Sequence, residues 1–160
     1  TKLAQFMLFP ASALAIFFSN MLVEFYKKND YKSVVYYLKM NTVILFFVSL
    51  LLFILINFFS STILNLFGKE FNNGTIVLLI LTFAYLINAS AGSFETVLLM
   101  SSHKRYLFNL NLITVLLNLI FNIPLVLLYG IEGAAVGTLF SISANRAMQY
   151  YFIKNKVLKI

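Results

Sequence analysis

The chain contains no cysteine and no tryptophan, only 2 prolines and 6 glycines, and only 5 acidic residues in 160. Without cysteine there is no disulfide framework and no thiolate metal site. Soluble domains are about 45–50% apolar and about 25% charged. Here 61% of residues are hydrophobic and 11% are charged, and the mean hydropathy is +0.92. So few acids cannot solvate the surface of a folded water-soluble protein this apolar, which argues against a soluble globular domain. The chain also begins at Thr1, with no methionine and no basic segment ahead of a cleavable leader, so it is expected to be a piece of a longer membrane protein.

Twelve basic residues against five acids leave a net charge of +7. In a soluble protein that excess suggests nucleic acid, but no basic stripe interleaves with polar residues here. Lys and Arg are expected in cytoplasmic loops and beside anionic lipid, so the partner expected is the bilayer and no nucleic-acid partner is expected.

The charges divide the sequence into apolar runs. Leu3–Val23, Met40–Gly68, Phe71–Phe94 and Tyr106–Ile131 carry none, and Gly133–Phe152 carries only Arg146. A helix needs about 20 apolar residues to cross a hydrocarbon core of about 30 Å. Strands are the weaker option, because a membrane barrel shows period-two alternation and stretches such as Val43–Val48 are apolar on every side. The expected fold class is all-α, a polytopic transmembrane bundle. Its expected spans, about five, cover residues 3–26, 36–59, 75–99, 106–128 and 133–154. The run from Met40 is too long for one pass. Ser60, Ser61 and Thr62 read as a helix stop and a new N-cap, followed by a short interfacial helix through Phe67 and a turn at 69–74.

Loop charge supplies a direction. The first loop holds Lys27, Lys28, Asp30 and Lys32; the second holds Lys69 and Glu70, which cancel; the third holds His103, Lys104 and Arg105; the fourth holds Glu132; and Lys154, Lys156 and Lys159 follow the last span. Positive and non-positive loops alternate. The positive-inside rule then predicts a cytoplasmic first loop, third loop and C-terminus. Tyrosines, among them Tyr26, Tyr37, Tyr106 and Tyr150, take the place of tryptophan as headgroup anchors.

Several residues stand out within the spans. Pro10 and Pro124 each remove one backbone donor, read either as a tolerated kink or, for Pro10 especially, as a hinge. Gly133 and Gly137 form a Gly-x-x-x-Gly pattern that lets helices approach closely. The small, polar run Ala89–Ser93 serves either tight packing or a cavity. Glu95 and Arg146 are the ionisable residues deepest in the spans. A charge at the helix centre costs about 2.5–3.5 kcal/mol on translocon scales unless paired or wet. Their depths match, so they form either a structural ion pair or a contact for substrate or coupling ion. Asn111, Asn118 and Asn122 share one helix face at spacings of seven and four. With Asn88, they read either as interhelical hydrogen-bond glue or as the lining of a hydrophilic cavity. The single His sits in a basic loop, and no carboxylate pair, metal-ligand cluster, phosphate loop or Gly-x-Ser-x-Gly elbow appears. Neither an enzyme nor a metal or cofactor site is expected.

In order and spacing, several stretches are similar to those of a known family. They are Leu8-Phe9-Pro10-Ala11-Ser12, Ile63-Leu64-Asn65-Leu66-Phe67-Gly68-Lys69-Glu70-Phe71, Leu78-Leu79-Ile80-Leu81, and Tyr129-Gly130-Ile131-Glu132-Gly133-Ala134-Ala135-Val136-Gly137-Thr138. The sequence resembles the C-terminal half of the polysaccharide (O-antigen and capsule repeat-unit) flippases of the multidrug/oligosaccharidyl-lipid/polysaccharide exporter superfamily. The resemblance implies that the five spans are most of the C-terminal lobe of a twelve-helix exporter, with the N-terminal lobe outside this chain. It implies movement of an undecaprenyl-diphosphate-linked oligosaccharide by alternating access, for lipopolysaccharide or capsule assembly, in company with other polysaccharide assembly proteins. On that reading Arg146 attracts the diphosphate, the asparagines meet sugar hydroxyls, and Glu95 carries a coupling proton. Two alternatives stand beside it. A multidrug-type cation antiporter of the same fold calls for buried acids, of which only Glu95 qualifies. A membrane-embedded polysaccharide polymerase calls for a large polar loop, and the outer loops here are short.

Overall fold

In the computed structural model, which describes residues 2–67 and 74–158, every regular element is helical and no strand occurs among the described residues. A short α1 (Lys2–Gln5) leads through a turn at Phe6 and Met7 into α2 (Leu8–Lys27), followed by α3 (Tyr31–Phe58), α4 (Ser60–Phe67), α5 (Thr75–Ser90), α6 (Ser93–Met100) and α7 (Lys104–Phe152). A π-helical turn, Ile153–Val157, closes the described chain. Three stretches are long and apolar enough to cross a membrane: Tyr31–Phe58, Thr75–Met100 and Lys104–Val157. Large apolar side chains on the outside, such as Leu127 at 82% exposure and Phe58 at 78%, fit lipid as the surrounding solvent and would be costly in water.

Each boundary has a local cause. At the end of α2, the Asn29 N–H donates to the Tyr26 carbonyl and the Asp30 N–H to that of Phe25, with Asn29 in the left-handed region at φ 57°. This is a Schellman ending with Asn in the place glycine usually takes. Asp30 then caps α3, accepting from the Ser33 N–H at 3.1 Å and the Ser33 hydroxyl at 2.6 Å. These two bonds, the hydroxyl's first, hold the Asp30 carboxyl below the usual carboxylate range. The helix stop expected at Ser60–Thr62 falls slightly earlier, at Phe59, whose N–H still reaches the Leu55 carbonyl. The turn expected at 69–74 lies outside the described residues, Gly74 excepted, and so does Lys159.

The stretch Lys104–Phe152 is not one straight rod. Gly130 sits inside it at φ 59°, ψ −135°, a conformation essentially confined to glycine. The chain reverses there, and the arms 104–129 and 131–152 pack antiparallel. Asn145 on the second arm meets Thr114 on the first, and Gly137 meets Asn122.

Two apolar clusters sit at opposite ends of the bundle. One joins Leu22, Val34, Leu38, Val97, Leu107 and Ile153. It gathers the ends of α2, α6 and α7 and the starts of α3 and α7, so the three basic segments of the chain lie at one end. The other joins Leu64, Leu78, Leu81 and Ala135. Between them, along α5–α6 and the second arm of α7, lies the polar layer.

Candidate functional site

The polar layer is built around Arg146. Its Nε donates to Asn88 Oδ1 at 2.9 Å, and Nη2 donates to the same oxygen. Nη1 donates to Glu95 Oε1 at 2.9 Å and to Gln149 Oε1 at 2.8 Å. Four of the five N–H groups are thereby engaged. Gln149 Nε2 in turn donates to Asn145 Oδ1 at 2.8 Å, and Asn145 Nδ2 donates to Thr114 Oγ1 at 2.5 Å. Longer contacts run from the same amide to Asn111 Oδ1 at 3.4 Å and the Leu110 carbonyl at 3.5 Å. One connected network thus ties α5, α6 and both arms of α7. In a low-dielectric interior such a network offsets the cost of carrying a guanidinium.

Helix breaks aim these side chains. The run Thr75–Met100 is interrupted at Ala91 and Gly92, where the Gly92 N–H reaches the Ala89 carbonyl and the Phe94 N–H reaches that of Ala91. A Cβ on Gly92 would lie 3.3 Å from the Ala89 carbonyl oxygen and 3.7 Å from both Ala15 of α2 and Leu45 of α3. The break is therefore where two neighbouring helices close in, and the small Ala89–Ser93 run permits it. The interruption also places Glu95 in the first turn of α6, where free N–H groups favour a carboxylate. Asn41 of α3 donates to the Ser93 hydroxyl beside the break.

The ion pair is asymmetric in its exposure: the Arg146 side chain is 14% exposed and that of Glu95 43%. Asn88, Glu95 and Arg146 form a wall shared by two cavities. A smaller one, about 160 Å³, is completed by Asn111, Thr114 and Asn145. A larger one, about 340 Å³, opens toward Ser12, Ile16 and Ser19 of α2. The wall presents a guanidinium, a half-exposed carboxylate and neutral amides. A guanidinium of this kind can pair with an oxyanion, and amides can hydrogen-bond hydroxyl groups. Among the described residues no group of three or more His, Asp or Glu side chains is placed to hold a metal ion.

Arg146, Glu95, Asn88 and Asn111 come together around these cavities. Asn118 and Asn122 do not line them. Asn122 donates to Asn118 Oδ1 at 2.7 Å along the first arm, and its own Oδ1 is buried without a hydrogen bond among the described residues, facing Gly137. A Cβ on Gly133 would fall on the Leu125 carbonyl, and one on Gly137 on the Asn122 side chain. Both glycines therefore sit at the seam between the two arms. Pro10 lies in the first turn of α2, and the interruption of the helix comes before it, in the turn at Phe6 and Met7. The Phe6 carbonyl accepts from the Phe9 N–H at 3.2 Å and so is not free. Asn145, Gln149 and Thr114 escaped the sequence reading, although Asn145 and Gln149, four apart and flanking Arg146, share one helix face.

In comparison with protein-family models, characterised proteins and solved structures, nothing matches this chain.

Proposed function

We propose that the chain forms most of one lobe of an alternating-access membrane translocase whose cargo is an anionic, lipid-linked saccharide, an undecaprenyl-diphosphate oligosaccharide carried across the bacterial inner membrane. The observation that carries this reading is Arg146, the single cation within the polar layer, set in a wall of amides beside two cavities in an otherwise apolar bundle. The sequence resemblance adds the cargo class. α2, α3, the interrupted α5–α6 and the two arms of α7 count as five crossings on this reading, with the basic end in the cytoplasm.

The geometry suggests how cargo would be held. Three of the four Arg146 contacts go to the neutral oxygens of Asn88 and Gln149, and only one goes to a carboxylate. A diphosphate oxygen competes with Glu95 alone, and Glu95 is exposed enough to be rehydrated as it leaves. A cationic cargo is less well served, because the one carboxylate in the layer is already held by Arg146. Rocking of this lobe against a second one around the site would provide access from either side.

The test is Arg146→Ala in the intact transporter, with protein level checked by immunoblot and surface polysaccharide as the readout. Export is expected to fall at least about tenfold, the equivalent of about 1.4 kcal/mol. Unchanged output at normal protein level removes Arg146 from the mechanism.

A further inference from the structure

A separate cleft lies at the basic end, between α3 and the end of α7. It encloses about 470 Å³. Its walls are Leu38 and Val43 of α3, Phe94 of α6, and Ile153 and Leu158 from the C-terminal turn, and its rim carries Lys39 and Lys154. These two lysines stand 115 positions apart in sequence (154 − 39), on elements that the apolar cluster of Val34, Leu38 and Ile153 draws together. Among the described residues the ion pairs are Lys28–Glu24 and Arg146–Glu95, so neither rim lysine is neutralised. Lys39 stands eight residues into α3, about 12 Å along its axis at 1.5 Å per residue, and its flexible stem lets the ammonium reach back toward Lys154. Tyr150 lines the same cleft, as expected at headgroup level.

A mainly apolar cleft beside a membrane-spanning helix, lined also by two lysines outside any ion pair among the described residues, complements the acyl chain and the charge of an anionic phospholipid. We infer that this cleft is a binding site for an anionic phospholipid of the surrounding bilayer, its acyl chain against Leu38, Val43 and Phe94 and its phosphate between Lys39 and Lys154. The inference rests on the membrane-spanning helices and not on the cargo proposed above, and no residue of the Arg146 network lines the cleft.

The test is native mass spectrometry of the purified chain in detergent, titrated with dioleoyl-phosphatidylglycerol or with dioleoyl-phosphatidylcholine. A basic residue near a lipid surface contributes about 1 kcal/mol, so Lys39→Gln or Lys154→Gln is expected to weaken phosphatidylglycerol binding about fivefold, and the double variant about thirtyfold. The charge-retaining pair Lys39→Arg/Lys154→Arg should restore binding. Lys27→Gln/Lys32→Gln removes two charges from the same end of the bundle but none from the cleft, and should change binding less than threefold. Thr42→Trp fills the cleft with both lysines in place and should abolish selective binding; it carries the test if the double glutamine variant does not fold. Equal binding of phosphatidylcholine, equal loss in the Lys27/Lys32 control, or a dimer of the chain that Thr42→Trp dissociates would each overturn the assignment.

Discussion

Arg146 and Glu95 are a pair whose members are not equally dependent on each other. Arg146 is nearly enclosed, so loss of its counter-charge leaves a cation in a low-dielectric site, whereas Glu95 can hydrate. Breaking a buried pair from one side costs about 3–5 kcal/mol, and exposed pairs are worth about 1 kcal/mol or less. Glu95→Gln is therefore expected to destabilise the protein by about 2 kcal/mol. Arg146→Met, which also strips donors from Asn88 and Gln149, should cost a similar amount. Because both single variants lose the same interaction, the double variant should fall short of their sum by about 1–2 kcal/mol. Denaturant unfolding of all four proteins in one detergent measures this, and additivity within about 0.5 kcal/mol would show no coupling. This pair was legible in the sequence because charges inside apolar runs are rare, and two at matched depth invite pairing. Asn145 and Gln149 were not, since hydropathy alone says nothing about which neutral amides turn toward a cation. The spacing of Asn111, Asn118 and Asn122 puts them on one face, but a face shared along a helix does not distinguish a cavity wall, where Asn111 lies, from a seam between arms, where Asn122 lies.

At the scale of elements, the hairpin of α7 rests on three glycines for different reasons. Around Gly130 there is open space, so its requirement is the backbone conformation alone; Gly130→Ala should cost about 1–3 kcal/mol through strain. Gly133 opposes a backbone carbonyl that cannot move without parting the arms, and Gly133→Ala should cost about 3 kcal/mol. Gly137 opposes the Asn122 side chain, so Gly137→Ala should be milder, and Asn122→Ala should rescue it while leaving Gly133→Ala unrescued. Thermal unfolding of the two double variants discriminates the cases, and equal rescue of both would contradict the seam geometry. The reversal was readable from Tyr129–Gly133, where turn residues interrupt apolar sequence. The break at Ala91–Gly92 was not, because a small-residue run without proline reads equally as continuous helix packed closely. The α2–α3 connection has its own signature in pH. The Asp30 carboxylate is stabilised in the folded state, so its cap contributes fully above the unfolded carboxylate value of about 3.9 and is lost as pH falls through the lower folded value. Asp30→Asn keeps an acceptor for the Ser33 N–H but has no charge to titrate. The stability difference between wild type and Asp30→Asn should therefore shrink as melts are taken from pH 6 down toward about pH 3; a constant difference would show that the carboxylate charge does not contribute.

At the scale of the whole molecule, loop charge and packing converge on one division of the chain. Basic segments that hydropathy could only label as alternate loops are brought to a single end by Leu22, Val34, Leu107 and Ile153, while Leu64, Leu78 and Ala135 hold the opposite end. A bundle with the basic segments 27–32, 104–105 and 154–156 at one end, in a membrane with anionic lipid and a positive-inside bias, has one favoured orientation. The absence of cysteine makes this directly measurable, since a single introduced thiol has no background within the chain. Lys32→Cys in the first turn of α3, Glu132→Cys just beyond the α7 reversal and Lys156→Cys in the final turn are all exposed positions. With a membrane-impermeant maleimide, Glu132→Cys is expected to label in intact cells, and the other two only after the membrane is permeabilised. The inverse pattern would keep the hairpin and overturn the orientation. Labelling of all three from one side would mean that the arms of α7 do not cross the membrane separately, and the proposed lobe with its five crossings would fall with them.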